Sequence, residues 1–355
     1  MEGIIIDYHK YYILSFFNAN RSTTSSQIFH VFQGKRTPSM FYLTERNNWH
    51  HAYAQFKKIS EQAIDQIIEG FLQSKLITPK EKGFILTHKG SNLRDTFFEE
   101  RYYPKISNFT NLNIRKSFWD RYQLFAQTFS EMSYRNNRYT PIIKHPHHQE
   151  NVRLLFQQFS KDKKLLKETW VKEQFFLFGE LDESRANILS MQLTGHQKIG
   201  KTKSQIQEHL NMAELEYFFY QQDSLQELLA IIHEHPKEAV ISHTIMNQLQ
   251  AETNYGLSIS TYATFQLLEQ GYSITEIASI RHLKENTIRE HILELAFILY
   301  DFPFEAFVPV ELYHSLNESF EKKHDYSYKE AKSDFKELEF SHYRLVELER
   351  MRMNG

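Results

Sequence analysis

The chain contains no cysteine among its 355 residues. This absence excludes a disulfide framework and any zinc site built from cysteine, and it is typical of a protein kept in a reducing cytoplasm. Glycine and proline are also scarce, at 11 and 8 residues. Because these two residues interrupt regular structure, their scarcity favours long helices with short connections. The sequence therefore predicts a mostly α fold and a cytoplasmic protein.

Long hydrophobic segments are missing as well. No run of about 18 apolar residues occurs, and the first ten residues lack the basic start and apolar core of a signal peptide. We therefore expect no membrane partner. The apolar content of 41% is still ample for hydrophobic cores, and 355 residues can hold two or three domains.

An overall excess of charge of one sign is absent, but the charges are distributed unevenly. The formal net charge is −2, with 42 Lys and Arg against 44 Asp and Glu. Residues 1–153 hold 21 basic and 13 acidic side chains, whereas residues 154–355 hold 21 and 31. Since nonspecific affinity for nucleic acid comes mostly from neutralised phosphates, this pattern predicts that strong binding lies in the N-terminal 153 residues.

The segment from Gly271 to Leu295 has the pattern of a helix-turn-helix. Gly271 can end one helix, and Ser273 with Glu276 can form a capping box for the next, whose inner face carries Ile277 and Ile280. The apolar residues of the following helix repeat at helical spacing: Ile288, Ile292 and Leu295. Such a helix is usually presented to DNA. We therefore predict DNA contacts at Lys284, Asn286, Thr287 and Arg289, with His291 also on the outer side.

A three-helix packing unit without any ligand would explain the same pattern. Helix-turn-helix geometry also serves protein contacts, and residues 256–300 carry three basic and five acidic side chains. On charge alone this module should bind DNA weakly. Both interpretations stay open at the level of the sequence.

The string Glu276-Ile-Ala-x-x-Arg281-x-Leu283-x-x-x-Thr287-Ile-x-x-His291-Ile resembles the helix-turn-helix domain at the C-terminus of many RecQ-type DNA helicases. It is similar, more loosely, to the LuxR-type response-regulator module, which usually has an aliphatic residue in place of Arg281. His282 stands where either family often has glycine. In length and in the position of this domain, the chain resembles the YpbB-like family of Gram-positive bacteria. That resemblance implies a partner protein of a RecQ-like helicase encoded beside it.

Residues 26–100 have the pattern of a winged helix. Helical patterns are followed by residues 76–90, where two short apolar runs flank a turn, so we predict a hairpin. The pattern Gly70-Phe-Leu-x-x-x-x-Ile77 with Phe84-x-Leu86-Thr-x-x-Gly90 resembles the winged domain that follows the motor of RecQ-type helicases. The resemblance implies DNA contact by the lysines of the wing: Lys75, Lys80, Lys82 and Lys89. A winged helix that docks onto protein is the alternative.

Residues 101–153 combine nine basic side chains and three acidic ones with many aromatic rings. Basic groups beside aromatic rings suit phosphate contact and base stacking on a single strand. The alternative is that the same rings form a helix core beneath a solvated charged face. The rings concerned are Tyr102, Tyr103, Phe109, Phe118, Trp119, Tyr134 and Tyr139.

Two motifs point to chemistry that their surroundings do not support. Residues 195–202 match the P-loop pattern GxxxxGK[ST], but residues 185–194 have helical spacing instead of the pattern of a buried strand. The cluster His145-Pro-His-His148 has no matching pair of ligands at helical spacing. We find no catalytic constellation, and we therefore predict no enzyme activity, no metal and no cofactor.

The sequence thus predicts a mostly α protein with an N-terminal winged helix, a helical middle region and a C-terminal helix-turn-helix. The predicted segments are an N-terminal segment (1–25), the winged helix (26–100), the helical middle domain (101–250), the helix-turn-helix domain (251–302) and a charged helical tail (303–355). The favoured function is a non-enzymatic DNA-binding accessory protein of a RecQ-like helicase in replication or repair. The alternative is a transcriptional regulator that binds a specific operator.

Overall fold

The computed structural model describes residues 2–159, 162–323 and 326–353. In chain order the helices and strands are α1 (Glu2–Leu14), α2 (Ser25–Gln33), α3 (Pro38–Arg46), α4 (Glu61–Gln73), β1 (Ile77–Lys80), β2 (Gly83–Leu86), α5 (His88–Glu100), α6 (Arg115–Ser133), α7 (Pro146–Phe159), α8 (Lys163–Glu180), α9 (Glu183–Met191), α10 (Lys203–Leu210), α11 (Glu214–Glu234), α12 (Val240–Glu252), α13 (Ile259–Glu269), α14 (Ile274–Ile280), α15 (Glu285–Ile298), α16 (Val310–Lys322), α17 (Tyr328–Asp334) and α18 (Phe340–Met353). The prediction of a mostly α fold is confirmed. No described helix is long and apolar enough to cross a membrane.

The chain forms two compact units. Unit 1 comprises residues 1–25, 60–106 and 111–253, and unit 2 comprises residues 26–59, 107–110 and 254–355. The five segments predicted from the sequence stay a prediction. Their bounds differ from those of the two compact units. In particular, residues 26–100 are divided: α4, the hairpin and α5 lie in unit 1, whereas α2 and α3 lie in unit 2.

The apolar face of α3 explains why this helix belongs to unit 2. The ring of Phe41 lies 5.7 Å from that of Phe297 in α15 and 5.1 Å from that of Phe109. Phe41 is only 1% exposed, so its burial depends on residues far away in the sequence. Local periodicity could show that α3 has an apolar face but not which helix would cover it.

Unit 1 is built around α6, which packs against α7, α11 and α12. The core residues are large and apolar, among them Phe118, Phe125, Trp170, Leu228 and Ile245. Buried Glu173 of α8 accepts hydrogen bonds from the backbone N–H groups of Ile241 and Ser242 at the start of α12. This carboxylate satisfies N–H groups that would otherwise lack partners at the end of a buried helix. Burial raises the pKa of Glu173.

The charge asymmetry of the sequence does not follow the two units. Unit 1 carries 26 Lys and Arg against 26 Asp and Glu, and unit 2 carries 16 against 18. Neither folded unit therefore carries the excess of basic residues that the sequence has before residue 153. A fragment ending at residue 153 would also lack α11 and α12, against which α6 packs. The N-terminal 153 residues cannot be treated as a separate binding domain.

Unit 2 is organised around α15, which packs against α3, α13, α14 and α18. Every residue of α15 from Ile292 to Ile298 is buried. A helix that is buried on all sides lies inside a core and not on a surface. Only the N-terminal part of the predicted recognition helix is therefore available to a partner.

The C-terminal tail is helical, as predicted, and it packs onto the helix-turn-helix. α18 lies against α15, α16 and α17. Arg352 donates hydrogen bonds to the carbonyl oxygens of Ala296 (2.8 Å) and Phe297 (2.9 Å). These carbonyls belong to the last turn of α15, where no intrahelical donors remain. The tail thus caps the central helix of unit 2.

Candidate nucleic-acid interface

The helix-turn-helix forms at the predicted residues. Gly271 adopts φ +86°, the left-handed conformation that ends α13. Ser273 and Glu276 form the predicted capping box: the Ser273 hydroxyl accepts from the Glu276 N–H at 3.3 Å, and the Glu276 carboxylate accepts from the Ser273 N–H at 2.8 Å. The local chemistry of these residues is sufficient to set the start of α14.

The turn between α14 and α15 forms without glycine. His282 adopts φ +52°, the conformation that glycine would adopt without strain. The N–H of Leu283 donates to the Ala278 carbonyl at 2.9 Å, which closes the turn. The departure from the family pattern at His282 therefore leaves the motif intact.

Two polar residues of the motif stabilise the fold. Arg281 donates to the Ser260 carbonyl at 2.8 Å and also to the hydroxyl of Thr264. The same hydroxyl lies 2.8 Å from Nδ1 of His291. Burial and the nearby Arg281 guanidinium lower the pKa of His291. His291, predicted on the outer side of α15, is half-buried, and its ring bonds to Thr264, which is completely buried.

The exposed surface of α15 begins at its first turn. Lys284 is the N-cap residue, and both Lys284 and Asn286 are exposed. Thr287 is half-buried, and the next residue, Ile288, belongs to the core. The structure thus places Lys284 and Asn286 where a partner can reach them, and it leaves Thr287 at the edge of this surface.

Arg289 is less available than its position in the sequence indicates. Its guanidinium bonds to Glu285 one turn earlier at 2.9 Å and to Glu339, which directly precedes α18. The second bond to Glu339 measures 3.1 Å. A phosphate would have to compete with both carboxylates for this side chain. Glu339 gives no signal in the sequence, because it lies fifty residues from Arg289.

The predicted hairpin is confirmed, and the four lysines of the wing are all exposed. Lys80 donates to the carbonyl of Asn20 at 3.2 Å, and Lys89 donates to that of Ser74 at 3.0 Å. Lys75 adopts φ +58° where the chain leaves α4, and Lys82 lies in the turn between β1 and β2. These lysines decorate unit 1, whereas the helix-turn-helix lies in unit 2.

Three of the seven predicted aromatic rings in residues 101–153 form core, which confirms the alternative interpretation for them. Phe109, Phe118 and Trp119 are at most 4% exposed. Two of the basic residues, Arg115 and Arg121, are buried as well, at 1% and 0% exposure. Among the predicted rings, Tyr134 differs, because it is 67% exposed.

Two of the three histidines of residues 145–148 contact an ion pair between buried Arg121 and exposed Glu252. Arg121 forms a salt bridge of 2.5 Å with Glu252 and also donates from Nε to Nδ1 of His148 at 3.3 Å. His147 lies 3.1 Å from the same Glu252 carboxylate. Burial, and then the Arg121 charge, lower the pKa of His148. These contacts give the cluster a structural role beside Arg121.

Residues 195–202 do not have the geometry of a phosphate-binding loop. The preceding element is the helix α9, as the spacing predicted, whereas a P-loop follows a strand. Backbone N–H groups of this segment donate hydrogen bonds within the protein: those of Gly195, His196, Lys198, Gly200 and Lys201. The Thr202 hydroxyl caps α10. Five of the backbone donors that would hold phosphates are therefore already engaged.

We expect calorimetric titration with Mg²⁺ and ATP to show no saturable binding, and Lys201→Ala to change neither heat nor melting temperature. The physical reason is the internal use of the N–H groups described above. Micromolar, magnesium-dependent binding that Lys201→Ala removes would contradict this prediction.

The comparisons with known proteins place the chain in a broad class. Residues 260–347 match a family of helix-turn-helix domains. This match extends beyond the segment 251–302 and includes most of the tail, in agreement with the packing of α18 onto α15 and of α16 and α17 onto α18. A domain of this class supports DNA binding.

A particular relative is Protein YpbB of Bacillus subtilis strain 168. The chain is 22% identical to it over 281 residues, which is 78% of each of the two proteins. The similarity to YpbB-like proteins is therefore confirmed at the level of sequence. No solved structure matches the chain.

Proposed function

We propose that this protein is a non-enzymatic DNA-binding accessory factor of a RecQ-like helicase in replication or repair. The observation that carries the proposal is the assembled helix-turn-helix, whose exposed first turn of α15 presents Lys284 and Asn286. A lysine suits phosphate contact, and an asparagine can donate to and accept from a base edge.

Similarity to YpbB over most of the chain supports the same proposal. The motif from Glu276 to Ile292, which resembles the C-terminal domain of RecQ-type helicases, points to the class of partner. The charge of unit 2 favours a partner beside DNA, since its 16 basic and 18 acidic side chains would hold DNA weakly alone.

Binding measurements on the full chain test the DNA part of the proposal. We expect similar affinities for forked or tailed DNAs of unrelated sequence. A transcriptional regulator would instead prefer one palindromic duplex by about 10³-fold or more. The double variant Lys284→Ala/Asn286→Ala should lose roughly 1–3 kcal/mol of binding free energy. Lys322→Ala/Gln270→Ala removes an equally exposed cation and amide from the same unit and should bind normally.

The helicase part needs a separate measurement. A tagged chain purified from its native host should retain a RecQ-like helicase, identified by mass spectrometry, after nuclease treatment. Recovery of RNA polymerase or of one operator sequence instead, with no helicase, would favour the regulator.

A further inference from the structure

Two loops of unit 1 meet at a stacked pair of rings. Tyr134 directly follows α6, and His196 lies in the connection between α9 and α10. Their ring centroids are 4.4 Å apart, with an interplanar angle of 20°. Tyr134 remains 67% exposed although His196 covers one face of its ring. The opposite face of the ring is therefore open to solvent.

Contacts from the end of α6 hold this pair in place. The Glu131 carboxylate lies 2.8 Å from Nδ1 of His196 and accepts a hydrogen bond from Asn136 at 2.6 Å. These hydrogen bonds lower the pKa of Glu131. The Ser130 hydroxyl accepts from the backbone N–H of His196 at 2.9 Å. A ring positioned before binding loses little freedom when a ligand stacks on it.

Three basic side chains accompany the rings on the same two loops. Arg135 and Arg138 follow Tyr134, and Lys198 lies two residues after His196. All three are exposed, and none forms an ion pair with another described residue. Arg289 of the helix-turn-helix, in contrast, forms ion pairs with two carboxylates. These three cations are therefore available to bind phosphates.

We propose that Tyr134, Arg135, Arg138 and Lys198 bind single-stranded DNA. One base stacks on the open face of Tyr134, and neighbouring phosphates lie against the three cations. An aromatic face accepts every base, and a cation accepts every phosphate, so this binding is independent of sequence. An acidic protein segment would use the cations but would leave the open ring face without a partner.

This inference rests on the proposed function and adds a second site to it. The helix-turn-helix in unit 2 suits a duplex, whereas the stacked rings in unit 1 suit an unpaired strand. A protein that accompanies a helicase meets both forms of DNA. Of the residues 101–153 that the sequence predicted to contact a single strand, this proposal retains Tyr134, Arg135 and Arg138.

Tyr134→Trp provides a direct spectroscopic test in the full chain. The natural tryptophans, Trp49, Trp119 and Trp170, are at most 5% exposed, so the added indole reports on this site. We expect oligothymidylate to quench its fluorescence while binding as tightly as it binds the natural chain. Unchanged indole fluorescence at saturating oligothymidylate would overturn the proposal.

Anisotropy with labelled oligothymidylate measures the contribution of the stack. Tyr134→Ala should weaken binding about 5- to 150-fold, the range for loss of one stacked base. Phe175→Ala is the matched control, because Phe175 lies on α8 of the same unit and is 80% exposed. We expect this control to bind normally and both variants to melt at the natural temperature.

Salt dependence measures the contribution of the cations. For a single strand, each neutralised phosphate contributes about 0.7 to the slope of log affinity against log salt. Arg135→Ala/Arg138→Ala/Lys198→Ala should therefore reduce the slope by about 2. Lys164→Ala/Lys167→Ala/Lys172→Ala removes three exposed lysines from α8 and should reduce it less.

The outcomes separate this inference from the function on which it rests. If Tyr134→Ala and the loop triple variant bind oligothymidylate like the natural chain, and blunt duplex still binds, the single-strand site is wrong and the proposed function stands. If the natural chain binds neither duplex nor single strand, both fail. Loss of oligothymidylate binding in the Tyr134 and loop variants, with duplex binding retained, supports the inference.

Discussion

We expect Ile288→Ala to lower the free energy of unfolding of unit 2 by about 2–5 kcal/mol. Ile288 is fully buried, and it lies on α15, which packs against α3, α13, α14 and α18. Removing its side chain beyond Cβ leaves a cavity among several helices at once. Such a cavity adds to the lost transfer free energy, because packed helices relax only in part.

Amide hydrogen exchange localises this effect. Exchange in α15 should become faster in Ile288→Ala, whereas exchange in α11 of unit 1 should stay unchanged. Ile259→Ala is the matched control, because Ile259 is 83% exposed on α13 of the same domain and should change stability by less than about 0.5 kcal/mol. Equal protection of α15 in Ile288→Ala and the natural chain would show that α15 is not central to unit 2.

The second large effect concerns the tail. We expect a chain ending at residue 302 to lose the cooperative folding of unit 2. Leu345, Val346 and Leu348 of α18 are at most 1% exposed, and together they contribute roughly 5–9 kcal/mol of burial. That is comparable to the total stability of about 5–15 kcal/mol that a domain usually has. The truncation also removes Arg352, which caps α15.

Amide hydrogen exchange also measures the effect of this truncation on α15. Protection of α15 should fall to that of an unfolded segment. Met353→Ala tests the specificity of the effect, because Met353 lies in α18 but is 75% exposed; it should change stability by less than about 0.5 kcal/mol. A truncated chain with full protection of α15 would mean that unit 2 folds without residues 303–355.

The surface of α15 that remains for DNA is small because α3, α13, α14 and α18 cover the rest. Glu339 engages Arg289, and the residues from Ile292 onward are enclosed. The helix-turn-helix therefore presents Lys284 and Asn286 but few other polar groups of α15. Such a small surface is consistent with a factor that acts beside another DNA-binding protein, as proposed above.

Helix ends, the hairpin and most buried positions of the helix-turn-helix could be predicted from the sequence. The capping box of Ser273 and Glu276, the glycine that ends α13, and the hairpin at residues 77–86 all involve residues near one another in the chain. The buried residues Ile277, Ile288 and Ile292 followed from helical spacing, but the same spacing was wrong for Ile280, which is 50% exposed. The helix before residues 195–202 followed in the same way. In each case the interacting residues lie within a few turns of each other.

Long-range packing was decided only by the tertiary structure. Spacing identifies an apolar or charged face but does not identify its partner, because that partner can lie anywhere in the chain. Phe41 of α3 therefore packs against α15 instead of the hairpin, and the half-buried ring of His291 bonds to Thr264. Arg289 meets Glu339, and Tyr134 meets His196, across separations that leave no periodic signal. The sequence by itself determined a mostly helical protein with a helix-turn-helix; the availability of its basic and aromatic residues depended on contacts between distant segments.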